Sequence, residues 1–251
     1  MSPAVRSCVP SEASDARGVS VRWSSDRTLR LETAPAGPAG APRVLAWREA
    51  LRGLAPALLD LVPTASTLTL VFDPDRLDAP AVEAAVRTRL DEAGTDAAPA
   101  AAPRVVEIPV CYGGAFGPDA AEVAACAGLH EEELIEAHAG AEYAVAFLGF
   151  SPGFGYLEGL PERLAAPRLP TPRLRVPAGS LGIAGRQTGV YPQTMPGGWR
   201  IIGRTPLRLF DPRRDPPALL AAGDRVRFVP IGGDAYAELD QHGPEDAWAG
   251  R

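Results

Sequence analysis

The chain has 251 residues, enough for one large domain or two small ones, and a formal charge of −6 that argues against a general nucleic-acid binder. Hydrophobic residues make up 46% of it, enough to bury cores, yet no run reaches the roughly 18 apolar residues that a membrane helix needs. There is no lysine, so a phosphate loop of the GxxxxGK[ST] type is excluded.

Residues 1–17 are small and polar without periodicity, read as a disordered tail with no secretory h-region. Residues 19–23 and 28–32 alternate apolar and polar, as strands do, and 33–42 form a Gly/Pro/Ala loop. From Val44 to Leu61 the apolar residues Leu45, Ala50, Leu51, Leu54, Leu58 and Leu61 follow a helical face that Pro56 interrupts. Residues 66–72 read as a strand ended by Asp73-Pro74. Pro80 opens a helix over 81–92. This alternation predicts a small α/β domain over 18–93, followed by an Ala/Pro/Asp linker over 94–103.

A second domain over 104–231 opens with a strand at 104–110 and helices at 119–126 and 131–138. The strand 143–148 follows, then short runs between turns at 182–184, 198–202, 206–210 and 225–229. Closely spaced short strands bounded by Gly or Pro predict a β-barrel or sandwich. Residues 232–251 read as a polar tail. No internal repeat is visible.

The stretch from Arg163 to Phe210 holds eight arginines and no acid, so the remainder carries −6 − 8 = −14. Unopposed guanidinium groups among rigid turns suit recognition of a carboxylate, carbonyl or phosphate. The competing reading pairs them with acids elsewhere in the fold, as surface arginines commonly are. Gly179, Gly182 and Gly185 do not open a helix, so they read as turns at a barrel rim and not as a dinucleotide fingerprint.

Cys8, Cys111 and Cys126 have no metal-ligand spacing, and the three histidines, His130, His138 and His242, form no metal motif. No metal is expected. An odd cysteine count favours free thiols in a reducing, cytoplasmic compartment. His138 ends a predicted helix, where a cation is favoured, and is open to a structural or a catalytic role. Two phenylalanines and a tyrosine fall on the loop Phe150-Ser-Pro-Gly-Phe-Gly-Tyr156, where aromatics either cover a core or line a pocket. A pocket is favoured, because Ser180, Gln187, Tyr191 and Thr205 lie on similar loops.

Six ordered motifs then become recognisable: Cys111-Tyr-Gly-Gly-Ala-Phe-Gly-Pro-Asp119, Phe147-Leu-Gly-Phe-Ser-Pro-Gly-Phe-Gly-Tyr-Leu157, Pro172-Arg-Leu-Arg-Val-Pro-Ala-Gly-Ser-Leu-Gly-Ile-Ala-Gly185, Gln187-Thr-Gly-Val-Tyr-Pro192, Pro196-Gly-Gly-Trp199 and Ile202-Gly-Arg-Thr-Pro206. Together they resemble the B subunit of the prokaryotic 5-oxoprolinase, a family also called allophanate hydrolase subunit 1 or sporulation-kinase inhibitor. The resemblance is close over 104–231 and looser before it. Ser151 stands where an apolar residue is more usual, and Arg186 where an uncharged one is.

The resemblance implies an α+β chain: a ferredoxin-like α/β N-terminal domain followed by a cyclophilin-like β-barrel of carboxyltransferase type. It implies ATP-dependent opening of 5-oxoproline (pyroglutamate) to L-glutamate together with subunits A and C, the chain being inactive alone. ATP with Mg would sit on, or be shared with, a partner subunit. The alternative is an inhibitor that binds the dimerisation domain of a sensor histidine kinase. The expected site is one groove of the second domain. His138, Arg173, Ser180 and Gln187 are its catalytic candidates, and Phe150, Tyr156, Tyr191, Trp199, Arg204 and Thr205 would bind substrate. Arg173, restrained by Pro172, is the expected partner of the substrate carboxylate.

Overall fold

A computed structural model describes residues 18–33, 40–93 and 103–242, so the tail 1–17 and most of the linker 94–103 lie outside the described residues. The chain divides into two compact units, residues 1–100 and 101–251.

In the first unit, β1 (Val19–Ser25) and β2 (Thr28–Thr33) form a hairpin. Helix α1 (Ala41–Ala50) follows, then β3 (Leu58–Pro63), β4 (Thr67–Phe72) and α2 (Ala79–Ala93). The sheet order is β1-β2-β4-β3. Each neighbouring pair is antiparallel, so β2 and β3 run parallel and α1 makes a crossover between them. This is the ferredoxin-like order, with the outer strand beside β2 supplied from the N-terminus. Alternation explains the burial: Leu29 and Leu31 of β2 and Leu68, Leu70 and Phe72 of β4 pack with Val44 and Trp47 of α1 and with Val82, Val86 and Leu90 of α2.

The helical reading of 44–61 holds only to Ala50. Pro56 cannot continue the helix, and Leu58 and Leu61 lie on β3, paired with Phe72 and Leu70. Their helical spacing was coincidental: on a strand edge only one face needs apolar residues.

The second unit is a closed barrel of seven strands in the order β10-β7-β6-β13-β5-β12-β9. Its strands are β5 (Val105–Tyr112), β6 (Tyr143–Leu148), β7 (Gly155–Glu158), β9 (Ser180–Ala184), β10 (Gln187–Val190), β12 (Arg200–Arg204) and β13 (Arg225–Pro230). A separate ribbon pairs β8 (Arg173–Val176) with β11 (Met195–Gly197). Helices α3 (Ala120–Cys126) and α4 (Glu131–Ala139) pack Ala120, Val123, Ala124 and Leu134 into the barrel's main core. Two expectations fail. Residues 206–210 make no strand, only an isolated bridge from Phe210 to Ala218. The polar tail begins with a helix, α5 (Gly233–His242).

Period-two alternation gives the barrel wall two faces. Leu157, Ile183 and Ile202 enter the main core, while Ala184 and Ile201 join a second cluster that Tyr156 packs against. This cluster also contains Phe154, Val176, Tyr191 and Trp199, so the β8–β11 ribbon covers part of it through Val176.

The Phe116-Gly-Pro-Asp119 segment is the joint between helix and barrel. A Cβ on Gly117 would stand 2.1 Å from the Ile202 carbonyl oxygen and 2.7 Å from the Gly113 nitrogen, both backbone atoms that cannot step aside. We expect Gly117→Ala to cost about 1–3 kcal/mol or more in a chemical denaturation series, because the strain has no side chain to relax into.

Candidate functional site

The aromatic residues expected at a groove come together on the outer barrel face. Phe154 is their centre, with ring centroids 5.5 Å from Phe150, 4.9 Å from Tyr156, 5.5 Å from Tyr191 and 5.4 Å from Trp199. Phe147 stacks on Tyr156 at 4.4 Å. The Pro196-Gly-Gly-Trp199 motif serves this cluster. A Cβ on Gly197 would meet the Tyr191 hydroxyl at 2.3 Å. Burial pushes the Tyr156 and Tyr191 phenols up, against a smaller pull from the positive charge of Arg168. The face therefore offers flat aromatic walls and phenol donors with arginine charge nearby.

Phe150 is 60% exposed and has φ +66°, alone among the described non-glycine residues in that region. A left-handed conformation costs an L-residue about 1–2 kcal/mol, and such strain concentrates at functional sites. We expect Phe150→Gly to leave the melting temperature equal or higher while weakening whatever this face binds. A clear loss of stability would show that Phe150 is core packing instead.

The remaining predicted residues divide. Gln187 lies opposite Ala184 on β10, so register places it on the aromatic face. Ser180 and Arg204 are directly paired across β9 and β12. Thr205 is buried in a turn, where its hydroxyl accepts from the Leu207 amide at 3.2 Å.

His138 belongs to the other face. It is fully buried among Tyr112, Tyr143 and Phe228. Thr188 donates its hydroxyl proton to the Gly182 carbonyl at 3.0 Å, so its oxygen accepts from His138 Nε2–H at 3.1 Å. The Tyr112 hydroxyl then donates to Nδ1 at 2.9 Å. Burial lowers the imidazole to about 3, so it is neutral at physiological pH. The expected cation at a helix end is corrected: desolvation outweighs the helix dipole. His138 is also too deep to share the groove.

Arg173 is already engaged within the chain. Its two terminal nitrogens donate to both Asp119 oxygens at 2.9 and 2.7 Å, and Asp119 also accepts from the Ile201 amide at 2.6 Å. The carboxylate that Arg173 holds is the protein's own. Asp119 supplies the pairing that no acid within 163–210 could. Three more of the eight arginines are paired similarly: Arg186 with Glu162, Arg200 with Glu122 and Arg208 with Asp211. Gly182 likewise is no rim turn. It lies inside β9, where a Cβ would press on Trp199 at 3.0 Å.

Sequence reasoning passed over Glu158, which follows Tyr156 at strand spacing and so shares its face. Its Oε1 is buried without a hydrogen-bond partner among the described residues, and burial raises the carboxyl to about 7. A raised acid favours the fold fully below its unfolded pKa, and that contribution is lost as pH rises through 7. Glu158→Gln should therefore raise the melting temperature at pH 8 and change little at pH 5. Equal shifts at both pH values would refute the assignment.

An open groove of about 510 Å³ runs beside α4, lined by Leu129, Glu133, Glu136 and Arg163 among others. It contains none of the aromatic residues and lacks their convergence. No three His, Cys, Asp or Glu side chains among the described residues cluster as a metal site. No described helix is long and apolar enough to cross a membrane.

Residues 19–220 match the family described as carboxyltransferase domain, subdomain C and D. Three bacterial proteins that carry the name of the 5-oxoprolinase B subunit are 48–51% identical to this chain. That of Bacillus subtilis aligns over 197 residues, 74% of this chain and 79% of its own. The chain belongs to the 5-oxoprolinase B-subunit family. A crystal structure of TTHA0988 is 39% identical with a TM-score of 0.71; the chain spans 40% of that longer protein. The Kluyveromyces lactis urea carboxylase, at 17% identity and a TM-score of 0.72, shares the fold over 89% of this chain and 22% of its own. Three of the family motifs have a direct packing reason here: the aromatic loop, the Pro196-Gly-Gly-Trp199 turn and the Asp119 joint.

Proposed function

We propose that this chain is the B subunit of an ATP-dependent, cytoplasmic 5-oxoprolinase that opens 5-oxoproline to L-glutamate with subunits A and C. The observation that carries the reading is 48% identity, over 74% of the chain, to a protein with that name. The outer barrel face suits a share of such a site. Its aromatic walls can hold a small flat lactam ring, and its phenols can donate to a developing amide oxygen.

Among the described residues no nucleophile stands beside a general base on this face. Four of the nearby arginines are matched to protein carboxylates. This residue set does not fit ATP with magnesium, so we place the nucleotide on, or shared with, a partner subunit. Within this chain the residues bind and orient; the activating chemistry comes from the complex. Phe150, 60% exposed, and Leu174, 91% exposed on β8, are among the exposed apolar side chains that a partner could contact. The same exposure suits the second reading, an inhibitor seated on a sensor kinase's dimerisation helices.

The test is 5-oxoproline-dependent ATP hydrolysis by the chain alone and with subunits A and C. Turnover is expected only from the three together. Robust turnover by the isolated chain would overturn the subunit reading, and kinase binding without any turnover by the complex would favour the second.

A further inference from the structure

Strands β5, β12 and β9 lie side by side, and their register sets Cys111, Arg204 and Ser180 in one row. Residues directly opposite each other project to the same face with Cβ atoms about 4.5–5.5 Å apart. The neighbouring row, Tyr112, Gly203 and Leu181, faces the main core: Leu181 is part of that core, Tyr112 packs against it, and a Cβ on Gly203 would touch Val110. The Cys111–Arg204–Ser180 row therefore faces outward, beside the aromatic cluster.

Two donors in this row have nothing to donate to. Ser180 is 1% exposed, and its hydroxyl has no hydrogen-bond partner among the described residues. The Nε–H of Arg204 is buried and equally unmatched. The backbone of Ser180 is already used, its carbonyl accepting from the Tyr191 amide at 2.9 Å. No described acid forms an ion pair with Arg204, whereas Arg173 and Arg200 nearby each have one. An unsatisfied buried donor costs about 1–3 kcal/mol, so two of them side by side point to an acceptor that the chain itself does not supply. Above the row lies α5. Its Tyr236, whose phenol burial pushes up against the pull of the nearby Arg204 charge, rests on Phe116 with ring centroids 4.6 Å apart.

We propose that Ser180 Oγ–H and Arg204 Nε–H form the seat of the substrate's carboxylate, with Tyr236 of α5 closing over it. The arginine Nε–H can only donate and carries a full positive charge, and the serine hydroxyl can donate beside it, so the fitting acceptor is an anionic oxygen. The carboxylate role expected of Arg173 passes to the arginine whose donor is unspent. The assignment of that carboxylate to 5-oxoproline rests on the 5-oxoprolinase reading; the seat itself does not.

The experiment uses the reconstituted complex with subunits A and C and compares wild type, Ser180→Ala, Arg204→Gln and the control Arg186→Gln, whose side chain pairs with Glu162 on the surface. We expect KM for 5-oxoproline to rise tenfold or more in Arg204→Gln and severalfold in Ser180→Ala, with the control unchanged. Ser180→Ala should keep or raise its melting temperature, because it deletes an unmatched hydroxyl. Higher KM with equal or better stability is a combination that a merely structural serine cannot give. If wild type turns over and both variants keep its KM, a bound water fills the site and the proposal fails. If wild type does not turn over, the functional reading fails, and the seat is judged on the isolated chain by thermal shift with acetate and with inorganic phosphate. Stabilisation by acetate that Arg204→Gln abolishes would uphold a carboxylate seat. No acetate effect, or an effect of phosphate alone, would overturn it.

Discussion

Asp119→Ala is expected to destabilise the barrel unit by about 3–5 kcal/mol, the usual cost of removing one partner from a buried ion pair. Asp119 is 7% exposed and Arg173 32%, and the pair ties the start of α3 to the β8 ribbon while the Ile201 amide ties it to β12. Alanine leaves the guanidinium and the amide without an acceptor. Arg173→Lys should also lower the melting temperature, since an ammonium cannot fill both carboxylate oxygens at once. In a double-mutant cycle, Asp119→Ala and Arg173→Ala should be strongly non-additive. Once folded and assembled, Arg173→Lys should show nearly wild-type kcat/KM. A tenfold loss of kcat/KM with an unchanged melting temperature would return Arg173 to the substrate carboxylate.

Acidification is expected to act through His138. Its folded pKa, about 3, lies below the ordinary 6.5 because burial excludes the charged ring. Below pH 6.5 the unfolded chain takes up a proton that the fold refuses. This contribution to stability is therefore intact above 6.5 and declines by about 1.4 kcal/mol per pH unit down to about 3. Near pH 4.5 the loss is about 3 kcal/mol. The neighbours do not offset it: Tyr112 and Tyr143 have phenols that burial raises, so both stay neutral. The chain has three histidines, which makes the check direct. Between pH 7.5 and 5 the His138 ring signals should stay fixed in an NMR titration. Unfolding free energies of wild type and His138→Gln should diverge over the same range, the variant being flatter. A His138 signal that titrates near 6.5 would refute the burial argument.

Several features were legible from local pattern alone. The strands at 19–23 and 28–32 carry the alternation of a half-buried sheet, those at 66–72 and 143–148 are runs of strand-forming residues, and Pro80 marks a helix start wherever the helix packs. The ordered motifs pointed to the family, because many of their glycines answer backbone constraints: Gly117 faces the Ile202 carbonyl, and Gly197 faces the Tyr191 hydroxyl. The loop of Phe150, Phe154 and Tyr156 signalled an aromatic face, since rings of that size on a Gly/Pro loop must pack on something.

What the sequence could not decide is which partner each polar group finds. Composition showed an acid-free stretch with eight arginines, but Asp119 lies 54 positions before Arg173 and reaches it only through the tertiary fold, which sets the start of α3 against β8. His138 carries the same side chain whether at an exposed helix end or beneath Thr188 and Tyr112; barrel closure puts it in the core and takes away its charge. Leu58 and Leu61 fit a helix or a strand until pairing with β4 chose the strand. Ser180 and Arg204 are 24 positions apart and become neighbours only through the β9–β12 register. Period, turn chemistry and family motifs are local and survive in one dimension. Charge pairing, burial and cross-strand adjacency are long-range, and only the closed barrel sets them.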